Sequence, residues 1–129
     1  MTSETRPAQP AGPSTDDWQL ICLCADWCGT CREWRPQLAK EAARHPGVRF
    51  SWVDIEDQAD AMGDVDIETF PTLLIAQGAK ARFLGPVLPS TGAIGRLLES
   101  LRADPRAGAV PAGADDLLAR LRTAGTGSP

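Results

Sequence analysis

The sequence has no cluster of basic residues, and its formal net charge is -4 with a pI near 4.9. Nucleic acids and anionic membrane surfaces attract positively charged patches, so neither is expected to be a partner. The longest early apolar run, residues 20–25, has the length of one strand and is too short to span a membrane. A secretory leader is not predicted either, because it needs a positive start and an apolar run of roughly seven or more residues. We therefore expect a cytoplasmic protein.

The first 17 residues contain no Val, Ile, Leu or Phe, and Pro and Gly are frequent among them. Such a segment cannot bury a hydrophobic core, so residues 1–17 are predicted to form a disordered tail. The apolar patterns place one domain at residues 18–102, which is an ordinary domain length. Residues 103–129 are predicted to be an Ala-, Gly- and Pro-rich extension with a short amphipathic helix at 114–122. We expect this helix to pack over part of the domain.

Cysteine occurs four times and histidine once. Cytosolic proteins rarely use disulfides for stability, so four cysteines indicate redox or metal chemistry. Cys28 and Cys31 form a Cys-x-x-Cys pair, and the sequence has no second Cys-x-x-Cys or Cys-x-x-His pair to complete a zinc site. Redox chemistry is therefore favoured over a metal site.

Strands and helices alternate in the predicted order. Helices are predicted at residues 28–44 and 57–62 and after a cap at Ser90 or Thr91, and strands at 19–25, 48–55, 72–76 and 81–84. The first two strands are joined through a helix and should be parallel, whereas the last two are joined by a tight turn and should be antiparallel. The predicted fold class is α/β, with a central mixed four-stranded sheet flanked by helices.

The Cys-x-x-Cys pair lies where the first strand passes into the first helix. A helix N-terminus presents unpaired backbone N–H groups and a partial positive charge, which stabilise a thiolate. A nucleophilic sulfur is therefore predicted at this turn.

The run Trp27-Cys28-Gly29-Thr30-Cys31, together with the run Thr69-Phe70-Pro71-Thr72, resembles the thioredoxin family. Pro71 follows Cys28 by 43 residues, 71 minus 28. The resemblance covers roughly residues 19–101. It implies a thioredoxin-like fold that lacks the N-terminal strand and helix of thioredoxins proper, because residues 1–17 have no apolar pattern to form them.

The resemblance also assigns roles to individual residues. Cys28 would attack a partner disulfide to form a mixed disulfide, and Cys31 would resolve it and close a Cys28–Cys31 disulfide. Trp27 would be an apolar contact surface for substrates. Pro71 would be cis, and the Phe70–Pro71 loop would pair with an extended substrate segment.

The activity that the resemblance implies is thiol–disulfide exchange without a cofactor or a metal. Its substrates would be protein or small-molecule disulfides, and its electron donor would be a thioredoxin-reductase-like enzyme or glutathione. We expect a monomer. The alternative is a thioredoxin-like binding module, in which the thiols serve as a redox switch or a metal site without turnover.

Two positions depart from the family pattern. Thr30 stands between the cysteines where thioredoxins proper have proline, and Cys22 stands where the family commonly has a buried carboxylate. Cys24 lies two residues after Cys22 and therefore faces the same side of the strand. Both are predicted to be core residues, and the alternative is an extra redox or metal-binding pair near the active site.

Overall fold

The structure is a computed structural model that describes residues 17–126, with gaps at 26, 64, 66, 68–70, 88–91, 105–107 and 109. Residues 1–16 of the predicted tail at 1–17 lie outside the described residues, and so does the predicted cap at Ser90 or Thr91. Within the described part the chain forms β1 (Trp18–Cys24), α1 (Gly29–Arg44), β2 (Val48–Asp54), α2 (Ala59–Met62), β3 (Thr72–Gln77), β4 (Lys80–Pro86), α3 (Ala93–Ala103) and α4 (Ala114–Ala124). The predicted order of strands and helices is thus confirmed, with bounds that shift by one to a few residues.

The four described strands form one mixed sheet in the order β2-β1-β3-β4. β1 and β2 are parallel, with Cys24 opposite Asp54. β1 and β3 are antiparallel, with Leu23 opposite Thr72, and β3 and β4 are also antiparallel. The register brings the C-terminal ends of β1 and β2 and the N-terminal end of β3 to the same end of the sheet. The residues with candidate functions follow or precede these strand ends.

Helices cover both faces of the sheet. Successive side chains of each strand point to opposite faces, so both faces carry apolar side chains that the helices bury. Even-numbered residues of β1 face α1 and α3, and the odd-numbered Ile21 and Leu23 face α2 and α4. The core on the first side consists of Leu20, Cys22, Cys24, Cys31, Trp34, Leu38, Val48, Phe50, Trp52, Leu73, Ile75, Ile94, Leu98 and Leu101. All four cysteines therefore lie on this side, three in the core and Cys28 partly buried against it.

The C-terminal helix α4 covers the opposite face of the sheet. Its side chains Leu117, Leu118 and Leu121 are buried against the sheet and α2. Polar contacts hold its two ends, since Asp115 Oδ1 accepts a hydrogen bond from the Ala81 N–H at 2.7 Å and Arg120 Nε donates to a carbonyl of α2 at 2.7 Å. The expectation that this segment packs over the domain is confirmed. None of the helices in the described ranges is long and apolar enough to cross a membrane.

Candidate active site

The turn between β1 and α1 positions the Cys-x-x-Cys pair. The Cys28 N–H donates to the Ala25 carbonyl at 3.0 Å, and the Cys28 carbonyl accepts from the Arg32 N–H at 3.1 Å. Cys28 is the N-cap of α1 and has extended backbone angles, with φ of -85° and ψ of 119°. Its thiol is free and only partly buried. The predicted position of Cys28 at the start of the helix is confirmed.

Cys31 lies one turn into α1 and is fully buried. Its sulfur is bonded to Cys24 and not to Cys28. The predicted Cys28–Cys31 disulfide is therefore wrong for the state that the structure represents, in which Cys28 keeps a free thiol.

The physical reason for this pairing is the packing of α1 on β1. Cys24 is the last residue of β1, is fully buried, and lies on the same face of the sheet as Cys31. The Cα atoms of Cys24 and Cys31 are 5.8 Å apart, within the usual range for a disulfide. Cys24 is a buried core residue, as the sequence predicts, and it is also the disulfide partner of Cys31. It forms no bond with Cys22, which stays a free thiol.

Cys22 is the fourth cysteine and a free, buried thiol. Its Sγ lies 4.0 Å from the Cys24 Sγ. Burial raises the pKa of the Cys22 thiol to about 12, and the neighbouring Trp34 indole and the Arg35 charge oppose this only in part. The buried Trp34 N–H makes no hydrogen bond among the described residues. Cys22 therefore remains a protonated thiol in the core at neutral pH, as the sequence predicts.

Trp27 is the most exposed large hydrophobic residue of the described part, with 60% of its surface accessible. Its Nε1 donates to Glu56 Oε2 at 2.7 Å. The Glu56 N–H donates in turn to Asp54 Oδ1 at 2.8 Å, which holds the turn after β2. The indole is thus both accessible to a partner and held in place.

Glu56 was not among the site residues that the sequence predicts. The acidic residues after β2 gave no sign of which one lies near the cysteines. The parallel pairing of β1 with β2 supplies that information, because Cys24 lies opposite Asp54 and the segments after both strands therefore begin side by side. A sequence argument that followed the strand ends would have placed Glu56 near Trp27.

Pro71 is buried and directly precedes β3. Because Leu23 pairs with Thr72, Pro71 lies at the end of the sheet where Cys24 ends β1. The Pro71 carbonyl accepts a hydrogen bond from the Val87 N–H at 3.1 Å, which ties the start of β3 to the end of β4. Phe70, the other predicted loop residue, lies outside the described residues. Substrate contacts by Trp27, Phe70 and Pro71 stay a prediction.

The chemistry available at this site comes from sulfur. In the described ranges, no three His, Cys, Asp or Glu side chains are grouped so that they could hold a metal ion. The site combines a free thiol at a helix N-terminus with a buried disulfide one turn away. This arrangement can carry out thiol–disulfide exchange.

Comparison with known protein families gives a match to the thioredoxin family model over residues 13–87. Among similar sequences is a putative thioredoxin 2 of Streptomyces coelicolor, 34% identical over 71 residues that make up 55% of this chain and 53% of that protein. An H-type thioredoxin of Oryza sativa is 36% identical over 63 residues, which are 48% of this chain and 52% of that protein. The chain thus spans about half the length of these relatives.

Solved structures of thioredoxins share the fold. Mitochondrial thioredoxin 3 of Saccharomyces cerevisiae in its oxidised form aligns with a TM-score of 0.56 and 23% identity, over 66% of this chain and 79% of that one. Thioredoxin f2 of Chlamydomonas reinhardtii aligns with a TM-score of 0.60 and 19% identity, over 70% of this chain and 83% of that one. The family match covers more than half of the residues, and the same residues form the sheet and the cysteine turn. The chain therefore belongs to the thioredoxin family.

Proposed function

We propose that the chain is a thiol–disulfide oxidoreductase acting on protein disulfides. The observation that carries the proposal is the free, partly exposed thiol of Cys28 at the first turn of α1, one turn before the buried Cys31. A helix N-terminus stabilises the thiolate, which is the attacking form in exchange reactions. The family membership supports the same chemistry.

The reaction proceeds in two exchanges from the fully reduced protein. The Cys28 thiolate attacks one sulfur of the substrate disulfide, the substrate bond breaks, and the second substrate sulfur leaves as a thiol. Cys31 then attacks the Cys28 sulfur and releases the other substrate sulfur, which closes a disulfide within the protein. The substrate gains two electrons and the protein loses two. A thioredoxin-reductase-like enzyme or glutathione returns them.

Trp27, Phe70 and Pro71 are proposed to contact the substrate. The exposed Trp27 indole supports this assignment, because a large aromatic held by the hydrogen bond to Glu56 offers contact area at little cost in side-chain entropy. The buried Pro71 at the same end of the sheet supports a substrate-pairing loop beside the cysteines. We also propose that the protein acts as a monomer in the cytoplasm, as the sequence analysis predicts.

Reduction of insulin by dithiothreitol, followed by turbidity, tests the proposal. We expect the wild type to accelerate the reaction and Cys28→Ser to return it to the rate of dithiothreitol alone. Cys31→Ser should accumulate a mixed disulfide between Cys28 and an insulin chain, because the resolving thiol is missing. Cys22→Ala is the matched control, since this buried thiol is outside the proposed reaction.

A wild type that does not accelerate insulin reduction would contradict the proposal and favour the binding module. Full activity in Cys28→Ser would contradict the assignment of the nucleophile.

A further inference from the structure

Cys31 has two candidate disulfide partners, Cys24 at the end of β1 and Cys28 three residues before it in the chain. The bond present in the structure joins it to Cys24, while Cys28 next to it in the turn is left as a thiol. The proposed exchange reaction, by contrast, passes through a bond between Cys31 and Cys28. The proposed reaction and the observed bond together imply two oxidised forms with the same number of electrons, in which Cys31 is bonded either to Cys28 or to Cys24.

We propose that Cys24 is a third redox-active cysteine, which replaces Cys28 as the disulfide partner of Cys31 after each oxidation. The inference rests on the proposed function, because Cys28 is the entry point for the substrate disulfide. In this step the Cys24 sulfur attacks Cys31, the Cys28–Cys31 bond breaks, and the Cys24–Cys31 bond forms. The proton of Cys24 passes to the Cys28 sulfur, and there is no net gain or loss of electrons.

Burial explains the direction of the transfer. With Cys31 bonded to Cys28, the remaining thiol would be Cys24, which is fully buried beside Cys22. With Cys31 bonded to Cys24, the remaining thiol is Cys28, which is partly exposed at the helix N-terminus. A disulfide has no S–H group to desolvate, whereas an exposed thiol can hydrogen-bond with water. The transfer therefore places the apolar disulfide in the core and the free thiol at the surface.

The transfer should be slower than the first exchange. A buried thiol keeps its proton, and only the thiolate attacks a disulfide. Its closeness to Cys31 compensates in part, because the reaction is intramolecular and needs no encounter. We therefore expect the Cys28–Cys31 form to appear first and the Cys24–Cys31 form to replace it.

The consequence is an oxidised protein that still has a nucleophile. Cys28 can attack a second disulfide while Cys31 is engaged with Cys24. The mixed disulfide that results has no free resolving thiol in Cys31, so the partner stays bound. Oxidation would thus change the protein from a catalyst of exchange into a covalent holder of disulfide partners.

Disulfide mapping during oxidation tests the inference. The fully reduced chain is mixed with one equivalent of oxidised glutathione, sampled over time, and its free thiols are blocked with N-ethylmaleimide in acidic denaturant. Chymotrypsin then cuts after Trp27, which separates Cys22 and Cys24 from Cys28 and Cys31. A Cys24–Cys31 bond links the two fragments and leaves the label on Cys28, whereas a Cys28–Cys31 bond leaves the fragments separate.

We expect separate fragments at early times and linked fragments with a labelled Cys28 later. In Cys28→Ser the linked product should form more slowly by about tenfold or more, because the surface thiolate that accepts the disulfide is missing. Cys22→Ala should behave like the wild type. With excess oxidised glutathione, the oxidised wild type should carry one glutathione on Cys28, and Cys24→Ser should carry less.

Absence of the linked product in the wild type would overturn the inference, and so would its loss in Cys22→Ala. Formation at the wild-type rate in Cys28→Ser would also overturn it, because Cys24–Cys31 would then be a structural disulfide made without the active-site nucleophile. The insulin assay separates the two proposals. A wild type that reduces insulin without forming the linked product overturns only the proposed transfer to Cys24. A wild type that does neither overturns both this inference and the proposed function.

Discussion

Arg82 on β4 donates a hydrogen bond from Nη2 to the carbonyl of Leu101 on α3 at 2.8 Å. The same nitrogen lies 3.0 Å from the Asp104 carbonyl, and Nη1 donates to Gln77 Oε1 at 2.6 Å. The guanidinium also lies 5.3 Å from the ring centre of Trp18. Helix C-terminal carbonyls have no partners within the helix and carry partial negative charge. A buried cation from the edge strand therefore caps α3 and fastens it to the sheet.

Replacing Arg82 should loosen this end of the fold. We expect Arg82→Met to lower the free energy of unfolding by about 2–3 kcal/mol, because it leaves partly buried carbonyls without donors. Arg82→Lys should recover only part of the loss, since one ammonium cannot match the planar fork of a guanidinium. Urea unfolding measures the change. Lys80→Met on the same strand is the control. Because this side chain is exposed, its replacement should change the free energy of unfolding by less than about 0.5 kcal/mol. Equal stability of the Arg82 and Lys80 variants would contradict the capping role.

Gly108 passes close to the same strand. Its φ is +101°, and a Cβ there would overlap the Arg82 carbonyl oxygen and a methyl group of Leu101. Gly108→Ala should therefore combine the strain of a left-handed backbone with a steric clash. Gly125 has a similar φ of +102° but open space around it, so Gly125→Ala carries the backbone strain alone.

We expect Gly125→Ala to cost about 1–2 kcal/mol and Gly108→Ala to cost about 1–3 kcal/mol more than that. Thermal unfolding of the two variants gives the comparison. If both lose the same stability, the close approach of Gly108 to β4 is not maintained in solution.

The packing of α4 predicts that shortening one of its buried side chains lowers the stability of the fold substantially. Leu118 is 1% exposed and lies in the core on the α2 side of the sheet. Leu118→Ala should lower the free energy of unfolding by about 2–5 kcal/mol, since it removes buried methyl groups and leaves a cavity. Thr123→Ala, on the exposed side of the same helix, should change it by less than about 0.5 kcal/mol. A Leu118→Ala protein that unfolds in urea like the wild type would show that α4 does not contribute to the core.

Cys22 predicts a loss of stability at alkaline pH. Its pKa is about 12 in the folded protein against 9.0 for the ordinary thiol, so between these values the folded state holds a proton that the unfolded state has released. The free energy of unfolding therefore falls as pH rises, by up to about 1.4 kcal/mol per pH unit from this group, and is unaffected by it at lower pH.

Urea unfolding between pH 8 and 11 measures this slope. The wild-type Cys22 and Cys22→Ala should be compared in a Cys28→Ser background, which removes the thiol most able to exchange. The difference in free energy of unfolding between the protein with Cys22 and the protein with Cys22→Ala should become smaller or change sign as pH rises. A difference that is constant with pH would contradict the raised pKa.

The fold could be predicted largely because its signals are local. The apolar alternation of the strands and the spacing of Trp34 and Leu38 in α1 depend on neighbours only a few residues away. The turn at Gly78 predicted the antiparallel β3–β4 pair, and the helix between β1 and β2 predicted their parallel pairing. The packing of α4 on the sheet could also be predicted, because the apolar side of an amphipathic helix must be buried against another apolar surface.

The site was predicted only in part. The position of Cys28 at the start of α1 follows from the strand-to-helix change in pattern, and it is confirmed. The contact between Trp27 and Glu56 does not follow from local pattern, because these residues are 29 positions apart and meet only through the parallel register of β1 and β2.

The sequence by itself determined the order of the elements, the membership of the thioredoxin family and the place of the dithiol, because each depends on residue type at short spacing. Only the tertiary structure decided that Cys31 bonds to Cys24 and that Cys28 remains a thiol. The physical reason is that disulfide pairing depends on the distance between sulfurs. That distance is set by how α1 packs across the end of β1, and not by the number of residues between the cysteines.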